Sequence, residues 1–231
     1  MLSFFSYISS WQYQVKYTQT LLCLLYNVAC HKDNLPAFFP ADNAVNILLL
    51  FTHCSLGTIG LLSKCILSFL QCLMEDDQQS NLELTTDETS FFTTSLNTVL
   101  ESDAATANGF NAEEILTILV NLSTIGRNQS ALQNKTIFAA VDTAIRGQNS
   151  TLQKLAIHLL LNLMDSSTAK MAIPKSTIFT LQALKDDALS GMGTLAHCLL
   201  WSLHQEAVHG EYSLLSDICM VIALGMKEFI P

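Results

Sequence analysis

"LAIHLLLNLMDSSTAKMAIPKSTIF", residues 155–179, decides how this chain is read, because residues 114–138, "EILTILVNLSTIGRNQSALQNKTIF", write the same segment less sharply. Placing Asn121 on Asn162 aligns the two without a gap at a step of 41. Ala131-Leu132 then falls on Ala172-Ile173, and Thr136-Ile137-Phe138 on Thr177-Ile178-Phe179. A further step of 40 reaches Ser202 in "LAHCLLWSLHQ", where Leu195-Ala196 takes the place of Leu155-Ala156. Backwards, "LSKCILSFLQC" puts Phe69 at the Asn position after a step of 52, and "LLCLLYNVACHKDNLPAFF" puts Asn27 there after a step of 42. The long step holds an insertion, with the acidic residues 75–90 inside it.

Within each copy the apolar spacing is helical. Leu155, Leu159, Leu160 and Leu163 keep the i, i+4, i+5, i+8 pattern of one buried stripe. Ser150 with Gln153, and Asn111 with Glu114, read as helix starts in which each side chain satisfies an amide left open by the first turn. Gly126, Gly147 and Gly191 fall between helices, and Pro174 keeps a short helix at "TAKMA" from running into "STIFTLQALKD". Each unit is therefore expected to hold a long, a short and a medium helix. Periods near 40 residues with this spacing mark helical repeat arrays.

The composition narrows the function classes. The 231 residues are 50% hydrophobic and 13% charged, which suits an ordered, helix-rich chain. A net charge of −9, with Lys and Arg scattered, argues against nucleic-acid binding, which needs clustered cations to displace counterions from phosphate. The acids concentrate in "EDDQQSNLELTTDE", Glu75–Glu88, which is expected to be an exposed, unpacked acidic loop, with a docking site for a basic partner as the lesser reading. The seven cysteines form no C-x-x-C. The seven-residue spacings Cys23/Cys30 and Cys65/Cys72 put each pair on one helix face, as reduced core residues of a cytoplasmic protein. Asn121, Asn128, Asn134 and Asn149 each open an N-x-S/T triplet, which would matter only in a secreted chain. The N-terminus has no basic residue ahead of its apolar part and no small-residue cleavage site, so it reads as a poor signal peptide. Residues 44–63 lack Asp, Glu, Lys and Arg and reach membrane-spanning length, but "THCSLGT" in their middle reads as a break between two buried helices. The membrane reading is the lesser one.

Catalytic signatures are missing from the sequence. There is no G-x-S-x-G elbow, no phosphate loop ending in G-K-S/T and no H-E-x-x-H. His197 and His204 share a helix face without a carboxylate cluster beside them. The expectation is a non-enzyme with no cofactor and no metal.

The chain resembles the armadillo-repeat family over residues 15–206. The third helix of that family carries a motif of the form L-x-x-A-x-x-x-L-x-N-L, and "LAIHLLLNL" and "LAHCLLWSL" are similar to it, "LLCLLYNVA" more loosely. The resemblance implies an all-α fold, a right-handed α-solenoid of about four to five armadillo-like repeats over residues 1–206. Residues 207–231 are then an apolar C-terminal helix, either a cap or a truncated repeat. It further implies a concave groove lined by the third helices, with an Asn ladder along it. The candidate binding residues are Tyr26, Asn27, Gln71, Asn121, Asn162, Asp165, Trp201, Ser202 and His204. Two uses are open to the asparagines: bonding a partner, or satisfying backbone carbonyls of the neighbouring repeat. Trp201 has two as well, core or platform. One turn before the Asn rungs stand Cys23, Thr117 and His158. The nuclear-import adaptors of the family carry Trp there, which argues against an import role. The implied function is a scaffold that binds another protein or peptide. The alternative is the regulatory, nucleotide-sensing array of a TIR-type NAD-cleaving system.

Overall fold

In a computed structural model of the chain, the described residues are 2–30, 41–54, 58–71, 74–102, 105–164, 173–186 and 191–204, with side chains from residue 14 onward except those of 41–43 and 204. They form α-helices, and no strand occurs among them. The fold is all-α. The chain comprises two compact units, Met1–Gln133 and Asn134–Pro231. "TAKMA", Asp165 and the expected helix at 207–231 lie outside the described residues.

The first unit holds α1 (Leu2–Ala29), α2 (Ala41–Phe51), α3 (Ile59–Phe69), α4 (Asp76–Gln79), a 3-10 turn at Ser80–Leu82, α5 (Thr86–Glu101), α6 (Ala112–Ser123) and α7 (Gly126–Leu132). The break expected inside residues 44–63 falls between α2 and α3. Gly60 permits a close approach there, since a Cβ on it would lie 2.7 Å from the Cys54 carbonyl oxygen. Among the described residues no helix is long and apolar enough to cross a membrane. Helix α3 lies at the centre, packing on α1, α2 and α6, while α5 packs on α6 and α7. Cys65, Ile66 and Leu67 of α3 are wholly buried. Burial of such side chains contributes about 1.5–3 kcal/mol each.

The acidic stretch differs from the expected unpacked loop. Glu75 and Thr85 cap α4 and α5 through reciprocal boxes with Gln78 and Glu88, and Leu82 between them is fully buried. Two of its carboxylates also find cations. Arg127 bonds Glu83, and buried Lys64 of α3 reaches both the Glu88 carboxylate at 2.8 Å and the Glu83 carbonyl at 2.7 Å. A buried ammonium needs such partners, because an unpaired charge in the core is costly.

Asn128 completes this corner. Its Nδ2 donates to the Leu82 and Leu122 carbonyls at 3.0 Å each, and its Oδ1 accepts from the Leu84 amide at 2.8 Å. Farther along, Asn108 and Gly109 both have positive φ, and Ala107 and Phe110 exchange backbone hydrogen bonds across them. An Asn-Gly pair suits such a turn, since both residues tolerate positive φ.

The second unit holds α8 (Lys135–Arg146), α9 (Ser150–Leu163), α10 (Lys175–Leu184) and α11 (Met192–His204). Helix α9 packs on α8 and α11, and α10 packs on α8 and α11. Helix α8 buries Ile137, Phe138, Val141, Ala144 and Ile145, a stripe of helical spacing. Asp142, also buried, accepts from Thr177 Oγ1 at 2.6 Å, Ser176 Oγ at 3.0 Å and Arg146 Nε at 2.9 Å. It thereby ties α8 to the first turn of α10, whose own N-cap, Pro174, offers no side-chain acceptor.

Two local expectations change here. Asn111 caps α6 with Glu114 as expected, but α9 is capped by Asn149 rather than Ser150. Gln153 instead donates to the Ile145 and Gly147 carbonyls at the end of α8. The Thr-Ile-Phe match is also out of phase: Phe138 is buried, whereas Phe179 is 70% exposed. The helices start 40 residues apart, at caps Asn134 and Pro174, so the step of 41 puts equal letters on different faces.

Candidate functional site

The long helices carry the repeat in their burial. At the step of 41, Ile115, Leu116, Ile118, Leu119 and Leu122 of α6 correspond to Ala156, Ile157, Leu159, Leu160 and Leu163 of α9, and all ten are buried. At the step of 40, Ala196, Leu199 and Leu200 of α11 are buried in their turn. The positions that stay partly exposed repeat as well: Thr117, Val120 and Asn121 on α6, then His158, Leu161 and Asn162 on α9. On α11 Cys198, Trp201 and Ser202 fall there.

In the first unit the C-terminal ends of α1, α3 and α6 come together. Tyr26 of α1 packs edge-on against Phe69 of α3, with ring centres 5.9 Å apart. Beyond α3, Gln71 donates to Thr124 Oγ1 at 2.9 Å, and that hydroxyl donates to the Asn121 carbonyl at 2.7 Å. Asn27 is exposed, while Gln71 and Asn121 are half-buried. The result is a set of uncharged amides and a hydroxyl at three neighbouring helix ends. It joins no nucleophile to a base.

Tyr26 does not belong to that set. It is buried, packs on Phe69 and Phe110, and its hydroxyl finds no nitrogen or oxygen partner. Burial, and then neighbouring Cys30, push its phenol far above the usual range. Sequence reasoning missed its partner, Phe110, which the Asn108-Gly109 turn presents; that dipeptide was the available signal. The cysteines also divide. Cys65 is buried and burial raises its thiol, while Cys23, expected in the core, is exposed. Burial likewise raises Cys30.

In the second unit the packed helices α9 and α11 hold Asn162, Trp201 and Ser202 near their C-terminal ends, all half-buried. His158 precedes Asn162 by one turn, and its pKa is lowered, first by burial and then by Lys154. His204 ends α11, with its side chain outside the description, and Asp165 lies outside the described residues. Asn128, which lies outside the rung column, bonds backbone carbonyls, those of Leu82 and Leu122. Among the described residues no group of three or more His, Cys, Asp or Glu is placed to hold a metal ion. Neither the known protein-family models nor the curated proteins contain a match to the chain.

Proposed function

We propose that this chain is a non-catalytic armadillo-type repeat array that binds a partner protein or peptide through the positions Asn27, Gln71 and Asn121 of its first unit and Asn162, Trp201 and Ser202 of its second. The observation that carries this reading is the pairing of two patterns. The buried stripe recurs at steps of 41 and 40, and the same neutral positions stay half-exposed each time, on long helices that pack side by side within each unit. Uncharged amides at repeated positions can bond successive peptide groups of a partner without the desolvation cost of a buried charge.

The test is affinity capture from lysate with wild type and with Asn27→Ala/Asn121→Ala/Asn162→Ala. These positions are exposed or half-exposed, so the variant keeps its helical circular-dichroism signal. The expected result is a partner retained by wild type and lost by the variant, followed by direct titration of the purified pair. Equal affinity for both proteins would remove these three positions from the binding site.

A further inference from the structure

Asn108-Gly109 is the one Asn-Gly pair in the sequence. Its two residues form the tip of the turn between α5 and α6, both exposed and both at positive φ, 54° and 88°. The flanking residues, Ala107 and Phe110, are buried and exchange both backbone hydrogen bonds, at 2.9 and 3.0 Å. The Gly109 amide takes no part in those bonds, and a Cβ on Gly109 would meet no heavy atom within 4 Å. An open, unhindered backbone nitrogen therefore follows directly on an exposed side-chain amide. Every other asparagine in the chain is followed by a residue with a Cβ, which crowds such a nitrogen. Asn149, also exposed, precedes Ser150, and its Oδ1 is engaged by the Thr151 and Leu152 amides.

One contact restrains Asn108. Its Nδ2 donates to Oγ of the buried Ser95 of α5 at 2.9 Å. A single neutral hydrogen bond lowers the released population by about tenfold at most, which delays a slow reaction without blocking it.

We propose that Asn108 is a site of spontaneous deamidation in the folded protein, and that its iso-aspartyl product pulls Phe110 away from Tyr26. The Gly109 nitrogen gives its proton to solvent and bonds to Asn108 Cγ. The Cγ–Nδ2 bond breaks, and the nitrogen takes a proton from water and leaves as ammonia. Water then opens the succinimide. Cleavage between Cγ and the nitrogen leaves an aspartate in an unchanged main chain. Cleavage at the other carbonyl leaves an iso-aspartate, in which the main chain runs through Cβ and Cγ. Either way an amide and water become a carboxylic acid and ammonia, and nothing is oxidised or reduced.

The two products differ in what they do to the fold. In the aspartyl form the Ser95 hydroxyl can turn from acceptor to donor and bond the new carboxylate. The iso-aspartyl form inserts an extra carbon between Ala107 and Phe110, whose paired backbone bonds fit the shorter turn. The Phe110 ring packs edge-on against Tyr26 at 5.4 Å and against Phe91 at 6.3 Å. Its displacement uncovers Tyr26, which is 5% exposed in the intact fold.

The experiment is ageing of the purified full chain in mildly alkaline buffer at physiological temperature, for wild type, Gly109→Ala and Asn108→Gly. Peptide mapping by mass spectrometry, with chromatographic separation of aspartyl from iso-aspartyl peptides, follows each asparagine. The expected result is conversion at Asn108 ahead of Asn149 and all others, slowed by about tenfold in Gly109→Ala, whose Cβ crowds the attacking nitrogen. Aged wild type, enriched in the iso-aspartyl form, melts below fresh protein. Freshly prepared Asn108→Asp, which carries the new charge on the old main chain, melts with fresh wild type. Asn108→Gly keeps a residue that tolerates positive φ and holds its melting temperature through ageing. An Asn108 amide that survives while Asn149 converts overturns the inference, as does an equal rate in Gly109→Ala with its helical circular-dichroism signal intact. Should that variant lose helix, Asn108→Gly decides: a melting temperature that falls on ageing as far as that of wild type overturns the inference too.

Discussion

Helices α6 and α9 share few letters beyond Leu and Asn yet bury the same positions, whereas α8 and α10 share Thr-Ile-Phe yet bury different ones. What a repeat conserves physically is the angle at which a side chain leaves the helix relative to its neighbours. That angle is set by where the helix starts and which stripe is apolar. In α6 and α9 the dense apolar stripe fixes the angle. In α10 the start at Pro174 moves the first turn by one residue, and Thr177, hydrogen-bonded to Asp142, takes the inward place that Ile137 holds in α8.

The sharpest way to break this comparison is to truncate the two equivalent phenylalanines. Phe138→Ala is expected to cost about 3–5 kcal/mol by emptying a filled core site, and Phe179→Ala less than about 0.5 kcal/mol. Urea denaturation of both variants checks it, and equal losses would restore the step of 41 as the structural one.

A second pair sets Asn128 against Asn121, which open equivalent N-x-S/T triplets. Asn128→Ala leaves two carbonyls and an amide without their side-chain partner, at a cost of about 2–3 kcal/mol. Asn121→Ala should change stability by less than about 0.5 kcal/mol, with any larger effect confined to partner binding.

A smaller difference separates the neighbours Asn149 and Ser150. Asn149→Ala removes the acceptor of the Thr151 and Leu152 amides and should lower stability by about 1 kcal/mol. Ser150→Ala should be neutral or slightly stabilising, because Ala is the better helix former. The two melting temperatures, taken side by side, decide which residue is the cap.

The smallest expected effect concerns His158, whose counterpart on α6 is Thr117. Burial and Lys154 lower the folded-state pKa of His158 below the unfolded value near 6.5, so between the two values the unfolded chain binds more protons. Its contribution is therefore constant above about pH 7, begins to fall near 6.5 and is lost as pH drops through the lower folded-state pKa. His158→Thr should flatten the fall in melting temperature between about pH 7.5 and pH 5.5, and an unchanged slope would assign the acid sensitivity to other groups.

The long helices were legible because Leu, Ile and Ala recur there at helical spacing often enough to fix which face is inside. The half-buried placement of Asn121, Asn162 and Ser202 follows from that stripe, on whose flank they lie, whereas Gln71 stands beyond the end of α3 and Asn27 on a helix that buries Leu22, Tyr26 and Ala29. The acidic stretch was misjudged because counting charges hides Leu82 and the Thr85/Glu88 capping pair, and because the cation that holds Glu88, Lys64, lies 24 residues away. Tyr26 was misplaced for a related reason: its covering ring comes from Phe110, far along the chain, and nothing within one helical turn announces it.

Asn128 sets two fates of one nitrogen against each other. An N-linked sugar would be attached through Nδ2, and in the folded unit both hydrogens of that nitrogen are committed to the Leu82 and Leu122 carbonyls in a site that is 1% exposed. The triplet Asn128-Gln129-Ser130 can therefore be read by a glycosylating enzyme only before this corner closes. A molecule so modified could not then form it, which makes folding and glycosylation at this position mutually exclusive.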